Sequence, residues 1–225
     1  MPSSRPSRSS LAMALVPLVL AGALGCGGIQ TRRGAERARP AKPACAGCIE
    51  ALRINGWCET SSIGYVAAVP IPSQWLHEAL DAHGHEIPDW SHPCLDCNDA
   101  LLSDGYCPHC KYGFVDGKLY FTKLTWSLGL GTVVDLWDLD CLECATHPTG
   151  SGWCDDCARG LVGNVAFTDR AKYECAAGEL DRLHESLTFV NECERCALSH
   201  YMGIECRACL RKDRDLRRES PPRSD

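Results

Sequence analysis

Basic residues are scarce where this chain has the composition of a folded body. Of 23 lysines and arginines, 13 lie in the two ends, leaving 10 between residues 45 and 210. Only 5 of 29 acidic residues lie in those ends, so 24 remain in the middle, a net of −14 there against −6 for the whole chain. Nucleic-acid modules bind the phosphate backbone with basic patches, so nucleic acid is not an expected partner. Long apolar runs are missing too. Leu11–Leu24 has 14 residues, and a membrane-spanning helix needs about 20. No HExxH, GxSxG, GxGxxG or P-loop motif occurs, which removes the common catalytic signatures. No Cys-x-x-Cys is followed by His, so haem attachment is excluded, and the short ferredoxin spacing is absent. Carboxylates are scattered, and spacing singles out no pair for acid–base work. An enzyme is therefore not expected.

Cysteine, in contrast, is abundant, with 17 residues. "CLDCNDALLSDGYCPHC" (94–110) holds two Cys-x-x-Cys pairs nine residues apart. "CLECATHPTGSGWCDDC" (141–157) and "CERCALSHYMGIECRAC" (193–209) repeat that spacing. An earlier copy, "CAGCIEALRINGWCETS" (45–61), carries Ser61 where the fourth Cys would stand. The copies begin at Cys45, Cys94, Cys141 and Cys193, so the chain is a repeat with steps of 49, 47 and 52 residues. A unit of that size buries too little surface to be comfortable alone and needs a staple.

Metal fits the spacing. Two residues between thiols let a tight turn aim both sulfurs at one ion, and two such turns close a tetrahedral four-thiolate site. The candidate ligands are Cys45, Cys48 and Cys58; Cys94, Cys97, Cys107 and Cys110; Cys141, Cys144, Cys154 and Cys157; and Cys193, Cys196, Cys206 and Cys209. The first set lacks a fourth thiol, and His77, on a helix expected to return toward it, is a candidate to complete it. Nine residues suffice for a short hairpin between the two turns. The four cores resemble short zinc ribbons, including the double zinc-ribbon type. That resemblance implies roughly three to four structural Zn2+ ions. In such ribbons Gly often follows the second Cys of a turn; here Gly64, Gly113 and Gly160 come three residues after the last ligand position. Disulfides are the rival staple, with Cys58 and Cys175 formally available to each other. Thiol redox chemistry normally needs one reactive pair rather than seven.

After each of the first three cores comes a hairpin signal: "GYVAAVPI" (64–71), "GFVDGKLYF" (113–121) and "GLVGNVAF" (160–167). A helix follows, with Ser73 or Thr168 as caps. Tyr173, Ala176, Ala177, Leu180, Leu183 and Leu187 share one face, as do Trp75, Leu76, Ala79 and Leu80. The second helix is expected to end near Gly129, before the apolar run "TVVDLWDL". Trp57, Tyr106 and Trp153, each preceded by Gly, are expected to cover the metal site and pack on the next element. The expected class is therefore small α+β metal-stapled repeats: four zinc-ribbon-like units, the first three followed by a hairpin and a helix.

The N-terminus reads as an export signal: basic residues, a short apolar region, then Ala23-Leu24-Gly25-Cys26. The small residues leading into one Cys resemble the lipobox of bacterial lipoproteins, with Ala23 where that family usually has Leu. The resemblance implies lipidation of Cys26 and a membrane-anchored protein of the bacterial cell envelope; an ordinary cleaved signal peptide is the alternative. The expected layout is a signal peptide (1–25), an anchor and basic flexible tether (26–44), repeat 1 (45–93), repeat 2 (94–140), repeat 3 (141–192), a terminal half-repeat (193–210) and a disordered charged tail (211–225). The function expected is a structural and interaction module with an envelope protein as partner. A metal-handling protein that buffers zinc or heavy metal is the contending class.

Overall fold

The computed structural model describes residues 43, 45–87, 94–141, 143–146 and 150–211. The export signal, Cys26, nearly all of the tether and the tail beyond Arg211 lie outside the described residues.

Each repeat is built on one plan. In the first, α1 (Ala46–Arg53) starts directly after Cys45, and β1 (Trp57–Cys58), β2 (Ile63–Val66) and β3 (Val69–Ile71) form an antiparallel sheet in that order. Helix α2 (Gln74–Leu80) and the short strand β4 (His85–Glu86) follow. The second repeat has α3 (Leu95–Leu102), β5 (Tyr106–Cys107), β6 (Tyr112–Val115), β7 (Lys118–Tyr120), α4 (Lys123–Gly129) and β8 (Thr132–Val133). The third opens on a 3-10 turn (Cys144–Thr146) and continues with β9 (Ser151–Cys154), β10 (Arg159–Val162), β11 (Val165–Phe167) and the long α5 (Arg170–Leu187). The last half-repeat contributes α6 (Glu194–Met202) before its second cysteine pair.

The nine-residue spacers are not hairpins. Three of the four are helical, with Cys45, Cys94 and Cys193 as N-cap residues. Ala, Leu, Glu and Arg favour helix locally, and Ala51, Leu52 and Ala100 give the short helices a buried side. The third spacer contains Pro148, Gly150 and Gly152, residues that oppose a helix, and its described residues form a 3-10 turn and the start of a strand. Helices α1 and α3 stop at left-handed residues, Asn55 (φ 52°) and Asp104 (φ 50°), types that tolerate this conformation. Their side chains then reach the hairpins: Asn55 Oδ1 accepts from the Ala67 N–H and Asp104 Oδ1 from the Asp116 N–H, both at 2.9 Å.

The hairpins form as the sequence implies, with Asp116-Gly117 as a left-handed turn pair (φ 49° and 74°). Ser73 caps α2 by accepting from the Leu76 N–H. The cap of α5 is Asp169 rather than Thr168, because Asp169 Oδ1 accepts from the Lys172 N–H at 3.0 Å. Strands cross the repeat boundaries. β4 pairs with β7 of the second repeat, and β8 pairs with β11 of the third. The apolar run 132–139 thereby leaves its own repeat: Thr132 and Val133 add an edge strand, and Leu136 and Leu139 enter a core shared by repeats 1 and 3.

One central core joins all four copies. Leu76 and Leu80 of α2, Leu124 and Leu128 of α4, Ala176, Ala177, Leu180 and Leu183 of α5, and Ala197 and Tyr201 of α6 meet there with the hairpin residues Val66, Ile71, Val162 and Phe167. Each fully buried Leu contributes about 1.5–3 kcal/mol. The buried cysteines belong instead to two smaller cores, one shared by repeats 1 and 3 and one within repeat 2.

Candidate metal centres

Each cluster draws its thiols from two local devices. The first pair brackets the start of the spacer helix, or the 3-10 turn in the third repeat. In the last cluster Cys206 precedes a helical stretch at 207–211; in the first three the second pair brackets a tight turn at the end of β1, β5 or β9. In that turn the residue after the fourth ligand position is left-handed: Ser62 (φ 50°), Lys111 (φ 59°) and Ala158 (φ 46°). Glycine is the residue that adopts this conformation freely, yet none of the three is Gly.

The glycines that do recur serve another purpose. Gly64, Gly113 and Gly160 lie directly across from Trp57, Tyr106 and Trp153 in the sheets. A Cβ at those glycines would fall inside the ring of His77, Trp126 or Tyr173 respectively. Each repeat thus lays a ring from its post-hairpin helix over a bare backbone, beside the aromatic of the facing strand. The ring centroids are 5.8 Å apart for Trp57–His77, 5.3 Å for Tyr106–Trp126 and 5.5 Å for Trp153–Tyr173. This contact holds the helix against the strand that carries the third ligand.

The predicted ligands converge. Cys94, Cys97, Cys107 and Cys110 form one group whose sulfurs all lie within 4.8 Å of one another. So do Cys141, Cys144, Cys154 and Cys157, the four from Cys193 to Cys209, and the three Cys45, Cys48 and Cys58. Separations within them include 3.6 Å for Cys45–Cys58, 3.7 Å for Cys94–Cys107, 3.8 Å for Cys141–Cys154 and 3.2 Å for Cys196–Cys209. A disulfide needs about 2.05 Å, so these are not S–S bonds. A tetrahedral ion with metal–sulfur bonds of about 2.3 Å has edges of about 3.8 Å. The donor set and its spacing therefore fit a tetrahedral thiolate-bound cation.

Electrostatics agree with this fit. The Cys45 thiol is pulled down to about 6, chiefly by the Cys48 backbone N–H and then by Ser61. Cys141 falls to about 7, chiefly through the Cys144 N–H, and Cys206 to about 6 through the Cys209 N–H. At Cys107 burial pushes upward, but the Cys110 N–H and neighbouring thiols outweigh it and bring the group to about 7. Burial raises Cys97 and Cys144, and hydrogen bonding to Cys209 followed by burial raises Cys196. Backbone donors favour one thiolate per cluster, while crowding and burial oppose more. A bound cation supplies the charge that would let the rest ionise.

The histidines near the first cluster are engaged elsewhere. His77 is buried with its Nε2 3.0 Å from the Asn55 carbonyl oxygen, and His83 Nε2 is 2.8 Å from that of Ile54. His77 is thus a packing residue rather than the fourth ligand. Its signal was readable in principle, since it aligns with Trp126 and Tyr173. Cys175 lies on α5 and joins none of the clusters. Sequence reasoning also passed over Glu179, a buried carboxylate that binds Lys123 Nζ at 3.0 Å, Arg182 at 3.5 Å and the Tyr201 hydroxyl at 3.0 Å. A single Glu on a mostly polar helix face carries no such signal. Compared with known protein families, curated proteins and solved structures, the chain matches none.

Proposed function

We propose that the protein is a zinc-stapled repeat scaffold, exported and anchored through Cys26, that presents a surface to a partner in the bacterial cell envelope. One observation supports a structural role for the metal: two thiols of each of the first three clusters are core residues. Cys97 and Cys107 are fully buried in the second repeat's own core, and Cys48, Cys58, Cys144 and Cys154 lie in the core that joins repeats 1 and 3. An ion held there would fasten elements together, and little of it would face a substrate. Zinc is the reading for the ion because it favours closed tetrahedral thiolate sites and has no redox chemistry of its own. The envelope location rests on the sequence of residues 5–26 alone.

The test combines metal analysis and a free-thiol count on protein isolated from the envelope. Zinc at each complete cluster, with thiols that titrate only after denaturation and chelation, is the expected result. Metal-free protein with its cysteines oxidised would overturn the zinc reading. The anchor is tested by Cys26→Ala, which should move the protein from the membrane fraction to the soluble one.

A further inference from the structure

The first cluster differs from the others at one vertex. Ser61 occupies the sequence place of Cys110, Cys157 and Cys209. The structure puts its hydroxyl in the spatial place as well. Ser61 Oγ lies 3.0 Å from Cys48 Sγ, and the matching pair in the last cluster, Cys196–Cys209, is 3.2 Å apart. The edge between the other two positions is kept, at 3.6 Å for Cys45–Cys58 against 3.7 Å and 3.8 Å in the second and third clusters. The cavity has therefore not collapsed around the missing sulfur. Among the described residues, no other Cys, His, Asp or Glu donor joins this group.

We propose that Ser61 Oγ is the fourth donor of a three-thiolate, one-oxygen metal site. The inference rests on the zinc-staple reading and deepens it. Its chemical consequence follows from the donor. A neutral hydroxyl is a harder and weaker ligand than a thiolate for a borderline-soft ion. A divalent ion with three thiolates and one hydroxyl carries a net charge one unit less negative than the same ion with four thiolates. The first site thus takes a divalent, zinc-like ion, holds it less tightly than the second and third, and exchanges it through the oxygen vertex. A three-thiolate site with an exchangeable vertex is chemically distinct from three closed staples on the same chain.

The experiment loads the full chain with 113Cd and records its NMR spectrum for the parent, Ser61→Cys and Ser61→Ala. The chemical shift of bound cadmium reports its donor atoms one site at a time. The parent should show four-thiolate resonances and one displaced upfield by the oxygen donor. Ser61→Cys should bring that resonance among the others and tighten the site by on the order of tenfold or more. Ser61→Ala should shift the resonance again and weaken the site by a comparable factor. Because Ser61→Cys gains affinity, the test does not depend on a variant that fails to fold. If Ser61→Ala leaves both shift and affinity unchanged, water fills the vertex and the inference is wrong. It is also wrong if the parent loads the three complete clusters and leaves the first without cadmium, a result that spares the staple reading. Failure of every cluster to bind would sink both.

Discussion

Three residues after the cysteine turns adopt a conformation that L-residues avoid. Ser62, Lys111 and Ala158 all have positive φ, which costs a non-glycine residue about 1–2 kcal/mol. Glycine would remove that cost and add about 0.4–1 kcal/mol of unfolded-chain entropy. Ala158→Gly should therefore stabilise the protein by about 0.5–1 kcal/mol, seen as a melting temperature higher by about 2 °C. Gly160→Ala should do the reverse, since its methyl would enter the Tyr173 ring; overpacking of this kind costs about 1–3 kcal/mol. A melting curve for Ala158→Gly below that of the parent would show that the turn strain is not relieved.

The thiols set a pH dependence with a definite sign. Cys45, Cys107, Cys141 and Cys206 are depressed from the ordinary 9.0 to about 6 or 7. A depressed acid contributes its stabilisation at high pH and loses it as pH falls through the folded value. The raised thiols Cys97, Cys144 and Cys196 must release protons when a cation enters. Both effects act in one direction. Zinc affinity, followed by competition with a chromophoric chelator, should fall on acidification from about pH 8 to pH 5, and more steeply below about pH 6, where the depressed thiols are protonated as well. Affinity that is flat over this range would mean that thiolates are not the ligands.

Among the elements, α6 is the one that locks the others. Its Tyr201 hydroxyl accepts from the Leu124 N–H at 2.8 Å and donates to Glu179 Oε2 at 3.0 Å. One oxygen therefore caps the start of α4 and reaches the middle of α5. Tyr201→Phe leaves the Leu124 donor unpaired in a buried place, at a cost of about 1–3 kcal/mol. Its melting temperature should fall by several degrees with zinc content unchanged. A loss of zinc in that variant would instead mean that α6 positions the last cluster. The sheet edges are managed at the same scale. β4 and β8 complete the second and third sheets, while the first ends at β3. Tyr65 N donates to Gly56 O, so its partner Pro70 turns its nitrogen outward. Proline has no N–H to offer a further strand. The second sheet has Leu119 at the matching position, where β4 pairs.

At the scale of the molecule, the cysteine clusters are unequal. Cys97 and Cys107 are 0% exposed, whereas all four thiols of the last cluster are partly exposed. The last cluster is followed by no hairpin among the described residues, and the first has an oxygen vertex. Stepwise chelation should thus release ions from the last and first clusters before the second and third. Native mass spectrometry should show a species with about two ions, and cooperative unfolding should accompany loss of the remaining pair. Release of all ions in a single step would show that the clusters are equivalent.

The repeat, the grouping of the cysteines, the three hairpins and the apolar face of α5 were legible in the amino-acid order. Each is a local pattern: a spacing, a turn signal or a period of 3.6. The spacer helices were less so, because eight or nine residues hold barely two turns of periodicity. Other features needed the folded chain. Whether β8 belongs to the repeat that encodes it depends on which sheet has a bare edge within reach. That Gly113 seats Trp126 depends on a helix returning across a strand. Ser61 is visible in the sequence as a missing thiol, but only the fold places its hydroxyl at the vacant vertex. Cysteine spacing specifies a cluster of thiols because two short turns suffice to build it. The arrangement of the four clusters is set by long-range burial, which no segment of the chain contains by itself.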